Sequence, residues 1–169
     1  TATLLRHAAE AGEPIHLSLR TLLRHPLDTD PALRGRTVFV CENATVVAFA
    51  AERLGARCAP LVTVQGQYAT PTRVLLRQLV TSGARLVYHG DFDCGGLAIA
   101  RRLFAEFPAQ PWCFGIGDYA AAPKTTRFHG QLGTTPWDPA LAGAMAADGR
   151  LVHEEAVFDS LLPDLAGSA

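Results

Sequence analysis

Arg85-Leu86-Val87-Tyr88-His89, closed by Gly90-Asp91-Phe92-Asp93-Cys94-Gly95-Gly96, is the stretch on which the fold turns. An apolar, β-prone run meets an acidic, glycine-flanked turn, and an amphipathic run from Gly95 to Phe107 follows, which reads as strand, turn and helix. The same alternation continues on both sides. Upstream, Val38-Phe39-Val40-Cys41 has the continuous apolar character of a strand buried on both faces, and Val46, Val47, Phe49, Ala50 and Leu54 recur at helical spacing up to Gly55. Leu61-Val62-Thr63-Val64 reads as a second strand. Thr70-Pro71 then opens a helix carried by Val74, Leu75, Leu79 and Val80 to Gly83. Downstream, Trp112-Cys113-Phe114 reads as a short fourth strand. Strands alternating with helices at this spacing predict an α/β fold: a mostly parallel four-stranded sheet with right-handed crossovers, flanked by helices.

The margins of the chain carry weaker signals. Residues 1–36 read as an arm leading into the domain, or the remnant of an upstream domain, and 37–169 as the domain proper. Within the arm, Thr3 to Ala11 fits a short helix ended by Gly12, while Ile15 to Leu23 has no single period. The chain opens on Thr1 rather than Met, so it reads as a fragment whose N-terminal part is absent. Residues 115–135 are rich in Gly, Thr and Pro and read as a long loop, with short helices expected over Pro139–Ala147 and Glu154–Leu162.

Composition narrows the function classes. At 169 residues the chain can bury roughly 70% of its unfolded surface without disulfides or metals to hold it together. With 49% hydrophobic and 18% charged residues and a mean hydropathy of +0.13, the bulk of it is not disordered. No apolar run approaches the ~20 residues that span a bilayer, so a soluble, cytoplasmic protein with no membrane partner is expected. A net charge of −1 excludes a nucleic-acid binder that relies on bulk positive charge, though not one with a local basic stripe or a basic partner. Lys124 is the single lysine among 15 cationic residues, a ratio better explained by coding bias than by function. Cys41, Cys58, Cys94 and Cys113 form no C-x-x-C pair, so neither a zinc site nor a disulfide framework is expected.

In an open parallel sheet, ligands bind beyond the carboxyl ends of the strands. The first strand ends in Glu42-Asn43, the second in Gln65-Gly66-Gln67 and the third in Gly90-Asp91-Phe92-Asp93, so three carboxylates should converge at one edge. Asp91 and Asp93, two apart in extended backbone, point the same way. Two carboxylates ~5 Å apart at an effective dielectric of about 20 repel by roughly 3 kcal/mol. A hard divalent cation offsets that repulsion: Mg²⁺ takes oxygen ligands and is usually held by one or two carboxylates plus phosphate. Gly95 and Gly96 open a helix whose bare N–H groups suit an anion. Each acidic group taken singly is also a good helix cap or turn residue; their meeting at one rim favours a metal-and-phosphate site.

Glu at the end of one strand and Asp-x-Asp-x-x-Gly at the end of another resembles the Toprim domain of topoisomerases, primases and related nucleases. Val40-Cys41-Glu42-Asn43, Gln65-Gly66-Gln67, Tyr88-His89-Gly90-Asp91-Phe92-Asp93, Asp118-Tyr119 and His153-Glu154-Glu155-Ala156-Val157 occur in that order. Together they resemble the Toprim-like C-terminal domain of a bacterial family that includes the nuclease subunit of Wadjet-type plasmid-defence systems, itself similar to the A subunit of topoisomerase VI. The resemblance covers about residues 37–165. Where relatives often have Trp-Pro after Asp-Phe-Asp, this chain has Cys94-Gly95, which alters the wall of the site rather than its ligands.

The resemblance implies Mg²⁺-dependent DNA cleavage, with Mn²⁺ able to substitute, and Glu42, Asp91 and Asp93 as catalytic metal ligands. Glu155 stands as a further candidate ligand, and Gly95, Gly96, Gln67 and His89 as candidate substrate contacts. The implied partners are DNA, the subunits of an SMC-like ATPase complex and a second copy of the full-length protein. Hydrolysis by an activated water is favoured over attack by a tyrosine, because Tyr68, Tyr88 and Tyr119 lie on no nucleophile motif. A non-catalytic module that binds DNA or partners, and topoisomerase-type strand cleavage with a tyrosine from another domain, are the alternatives. Arg73, Arg77, Arg101, Arg102, Lys124 and Arg127 are weaker candidates for a phosphate track.

Overall fold

Three of the four expected strand runs pair side by side. A computed structural model of the chain describes residues 2–27, 31–124, 126–127 and 129–167. Strands β1 (Thr37–Cys41), β2 (Leu61–Thr63), β3 (Arg85–Tyr88) and β4 (Ala109–Pro111) form one sheet in the order β2-β1-β3-β4. All three pairings are parallel, with Phe39 opposite Leu61 and Val87, and Leu86 opposite Ala109. The crossovers are the helices α3 (Ala44–Leu54), α4 (Thr70–Thr81) and α5 (Cys94–Glu106). From β1 the chain moves out to β2, then returns past β1 to β3. The strand order therefore reverses between β1 and β3, and the crevice at their carboxyl ends is the ligand-binding place of such sheets.

Side-chain alternation along the strands divides the core in two. Val38, Val40, Leu86 and Tyr88 bury one face against Leu76 and Leu79 of α4 and Leu97 and Leu103 of α5. Cys41, with Phe39 and Val87 partly buried beside it, faces Val46 and Ala50 of α3. Leu161 and Leu165 of α8 (Phe158–Leu165) close that second layer.

Three expectations are corrected. The fourth strand lies at Ala109–Pro111 rather than at Trp112–Phe114. An edge strand tolerates a proline, and the left-handed backbone at Cys113 (φ 47°) turns the chain out of the ladder. Trp112 and Phe114 instead bury their rings. The supposed loop from 115 contains a helix, α6 (Ile116–Ala121), too short to announce itself by periodicity; α7 (Leu141–Asp148) follows it. The residues read as one helix from Glu154 divide into a 3₁₀ turn, Glu154–Val157, and α8.

The arm folds onto the domain as helices α1 (Ala2–Ala11) and α2 (Leu19–Arg24). Leu22 is buried, and Gln78 of α4 fastens the arm by donating to the Leu22 carbonyl (3.0 Å) and accepting from the Leu27 N–H (3.1 Å). Among the described residues, no helix is long and apolar enough to cross a membrane.

Candidate functional site

Glu42 follows the last residue of β1 and Asp91 stands three residues beyond β3, so the reversal of strand order sets them side by side. The Asp91 N–H donates to Glu42 Oε2 (3.1 Å). Two glycines make room for that carboxylate. A Cβ at Gly96 would overlap the Asp91 carbonyl oxygen and lie 2.8 Å from Glu42 Oε2, and one at Gly90 would lie 3.0 Å from the same oxygen.

A third segment completes the rim. Phe92 and Val152 form an antiparallel bridge, with Phe92 N–H donating to the Val152 carbonyl (2.9 Å), and this lays His153-Glu154-Glu155 against Asp91. The Glu154 N–H donates to Asp91 Oδ1 (2.7 Å), and His153 Nδ1 stands 3.4 Å from Asp91 Oδ2. The wholly buried Glu154 carboxylate accepts from the Glu42 N–H (3.1 Å to each oxygen) and the Asn43 N–H (2.8 Å). Glu42, Glu154 and Asp91 thus close a ring in which each gives its main-chain N–H to the carboxylate of the next. Asn43 caps α3 by accepting from the Thr45 N–H (3.0 Å), while its side-chain amide donates to Glu155 Oε1.

Ligand atoms of Asp91, His153 and Glu155 all lie within 4.8 Å of one another, a spacing that one cation can span. Burial, then the charge of Asp91, pushes the Glu42 carboxyl up to about 7, against the pull of the Asp91 N–H bond. Asp91 is likewise raised, by burial first, with the Glu154 N–H opposing and the Asp93 charge reinforcing. Glu154 is pushed up to about 9 by burial, although the Asn43 and Glu42 N–H groups favour its charged form.

The remaining candidates fall around this cluster. Asp93 is near enough for its charge to act on both Glu42 and Asp91, but its Oδ1 caps α5 by accepting from the Gly96 N–H (2.7 Å). That N–H, expected to face an anion, is therefore already bonded. Gly95 is set against Asp93, where a Cβ would lie 3.3 Å from Oδ1. Gln67 is exposed on the turn after β2, its N–H closing onto the Val64 carbonyl (3.1 Å). His89 is buried behind Phe92 in an aromatic nest with Trp112 and Phe114 rather than at the rim. Its Nδ1 donates to the Trp112 carbonyl (3.0 Å), and burial lowers the ring to about 4.

Four of the proposed phosphate-track residues are engaged elsewhere. Arg73 and Arg77 both bind Glu106 (2.8 Å each), Arg101 donates to the Leu132 and Thr134 carbonyls, and Lys124 to those of Tyr119, Ala120 and Ala122. His153 is the residue that reasoning from sequence missed. Its place directly before the Glu154-Glu155 pair is the sequence signal that could have found it, the 3₁₀ turn from Glu154 bringing Glu155 back beside it.

A family model described as "Protein of unknown function C-terminus (DUF2399)" matches residues 15–165. The chain belongs to the DUF2399 family. No curated protein and no solved structure matches it. The DUF2399 match spans the acidic rim from Glu42 to Glu155 and also takes in α2, which the arm contributes.

His89 gives this DUF2399 chain an acid-side stability limit. The folded ring titrates near 4 rather than at the ordinary 6.5, so the unfolded chain binds a proton that the folded one refuses. The stabilisation is full above pH 6.5 and disappears as pH falls through about 4, a loss of roughly 3 kcal/mol. Urea titrations of wild type and His89→Phe at pH 7 and pH 4 should show the difference between them shifting by that amount. A constant difference would contradict the assignment.

Proposed function

We propose that this chain is the catalytic module of a divalent-metal-dependent DNA endonuclease of Toprim type, acting within an SMC-like anti-plasmid complex in the cytoplasm. The observation that carries the reading is the meeting of Glu42, Asp91, His153 and Glu155 at the reversal point of a parallel sheet. The ordered motif resemblance supports the choice of DNA over a small phosphorylated substrate.

The donor set suits a cation. Two carboxylates and an imidazole lie within one coordination sphere's reach, and the glycine cradle lets Glu42 approach them. Burial and mutual repulsion leave Glu42 and Asp91 short of counter-charge. Carboxylates favour Mg²⁺, and the imidazole makes Mn²⁺ a good substitute. Bound there, the cation would supply Lewis-acid stabilisation of charge on the scissile phosphate and the departing oxygen. Asp91 and Glu155 provide the oxygens and His153 the nitrogen, while Asn43 holds Glu155 and the Glu154 N–H holds Asp91.

The tyrosines favour hydrolysis over attack by a residue of this chain. Tyr88 is buried, Tyr119 is buried with its hydroxyl donating to Asp148 and the Arg150 carbonyl, and Tyr68 donates to Glu106. With a net charge of −1, and with Arg73, Arg77 and Arg101 bound within the chain, the module takes its grip on DNA from the rest of the full-length protein, a second copy of it and the ATPase subunits.

Incubating the full-length protein and its partners with circular plasmid and Mg²⁺ or Mn²⁺ tests the reading. Nicked or linear product is expected; intact circles would overturn it. Cation binding should also be visible in stability. The raised Glu42 carboxyl contributes stability that is complete below its ordinary value of 4.5 and is lost as pH rises through about 7, because the ionised group is then buried near Asp91. Mn²⁺ should therefore raise Tm by several degrees at pH 8 and by much less at pH 5.5. Equal shifts at both pH values would speak against binding at these carboxylates.

A further inference from the structure

We propose that Arg127 and Arg150 form a clamp for one backbone phosphate of the DNA strand that lies at the acidic rim; the choice of DNA, though not the chemistry of the clamp, rests on the nuclease reading. The two residues face each other across an antiparallel bridge. Beside them the Leu151 N–H donates to the Thr126 carbonyl (3.0 Å), so theirs is the non-hydrogen-bonded kind of pair, in which facing side chains come closest and leave the ribbon on one side. Both are exposed. Like charges set directly opposite destabilise a ribbon, and no carboxylate pairs with these. Among the described residues, arginine ion pairs form at Arg53, Arg73 and Arg77, and none at Arg127 or Arg150. Asp148 instead accepts from the Tyr119 hydroxyl (3.0 Å), whose oxygen lies 2.8 Å from the Arg150 carbonyl. Lys124 adds a third cation, 4.7 Å above the Tyr119 ring. An anion relieves such a pair. Each guanidinium presents a planar fork that matches two oxygens of a phosphate, and two forks side by side can hold one phosphate from both flanks.

The segment that carries Arg150 also carries the third side of the rim. Val152 exchanges hydrogen bonds with Phe92 (2.9 and 3.3 Å), and His153 follows it. The three residues from Arg150 to His153 span at most ~11 Å, and successive phosphates of one strand advance ~3.4 Å along the duplex axis. A strand with a phosphate beside Asp91, His153 and Glu155 therefore carries another, within about three nucleotides, to the arginine pair. One such contact adds little affinity; it fixes the register of the strand over the carboxylates.

The test is fluorescence anisotropy of a short labelled duplex with the full-length protein in EDTA, at several salt concentrations. The Arg127→Gln/Arg150→Gln double variant should bind about tenfold more weakly, and its plot of log affinity against log salt should flatten by about 0.9, the share of one neutralised phosphate. Arg127→Lys/Arg150→Lys, which keeps the charges and loses the forks, should recover the slope and only part of the affinity. Arg36→Gln/Arg85→Gln, the same change of charge at the amino ends of β1 and β3, should bind as the parent does. Removing the facing charges should hold or raise Tm at low salt, whereas loss of a merely structural pair would lower it. Parental affinity and slope in the Arg127→Gln/Arg150→Gln variant, or an equal loss in the Arg36→Gln/Arg85→Gln control, would overturn the proposal. Inorganic phosphate at constant ionic strength separates the sources. If it raises Tm of the wild type but not of the Arg127→Gln/Arg150→Gln variant, while both bind duplex equally, the pair serves a free phosphate and the DNA contact is overturned. Plasmid nicking by the wild type in its full-length complex is scored separately. Nicking with duplex binding that ignores the pair removes only the clamp, pair-dependent duplex binding without nicking removes only the nuclease reading, and a wild type that binds no duplex removes both.

Discussion

Asp91→Asn in the full-length protein is expected to lower Mg²⁺- or Mn²⁺-dependent plasmid nicking by at least ~100-fold while leaving the fold intact. The amide retains an oxygen to accept from the Glu154 N–H, which holds the third segment in place at 2.7 Å. It removes the carboxylate that joins the His153 pair to the candidate coordination sphere, while the Asp91 main-chain N–H still donates to Glu42 Oε2. Because the Asp91 carboxyl is raised by burial and by the Asp93 charge, its neutral replacement relieves repulsion, so Tm should hold or rise. Asp93→Asn makes a sharper comparison. Asn and Asp cap helices about equally well, so a residue acting only as the α5 cap would lose nothing, whereas a metal ligand would lose activity. Nicking by Asp91→Asn at the parental rate would remove Asp91 from the chemistry.

The largest effect on stability is expected from Gly96→Ala. In an ordinary helix this change is favourable by roughly 0.5–1 kcal/mol. At Gly96 the new methyl would overlap the Asp91 carbonyl oxygen, a main-chain atom, and press on Glu42 Oε2, which the Asp91 N–H holds. Forcing that overlap and releasing the Glu42–Asp91 hydrogen bond should cost roughly 3–4 kcal/mol. Gly143→Ala in α7 is the control: a Cβ there meets nothing within 4 Å, and the variant should be slightly more stable than the parent. Chemical denaturation of the two variants reads the difference, and a mild effect at Gly96 would mean that the rim can deform.

What was legible in the sequence was whatever depends on neighbours along the chain. Val38–Cys41 and Arg85–Tyr88 announced themselves as strands, and the rule that ligands gather at strand ends put Glu42 beside Asp91. The fourth strand escaped because Trp112 and Phe114 look more strand-like than Ala109-Gln110-Pro111; their burial comes from ring packing after the Cys113 turn. Helix α6 escaped because six residues between glycine-rich stretches carry too little period. The parts played by His153 and Glu154 depend on the Phe92–Val152 bridge, which joins positions far apart and leaves no local trace. Nor could composition show that Arg73 and Arg77 are bound to Glu106.

The closed ring of Glu42, Glu154 and Asp91 has a consequence for biosynthesis. A protein leaves the ribosome from its N-terminus, so both sheet-end acids emerge early and the residue that clasps Asp91 arrives 63 positions later. Until that late turn docks, Asp91 lacks the amide that orients it, and neither His153 nor Glu155 has joined it. A nascent chain with its sheet already assembled would carry an unfinished centre, one that gains its third segment only when His153-Glu154-Glu155 has emerged and docked.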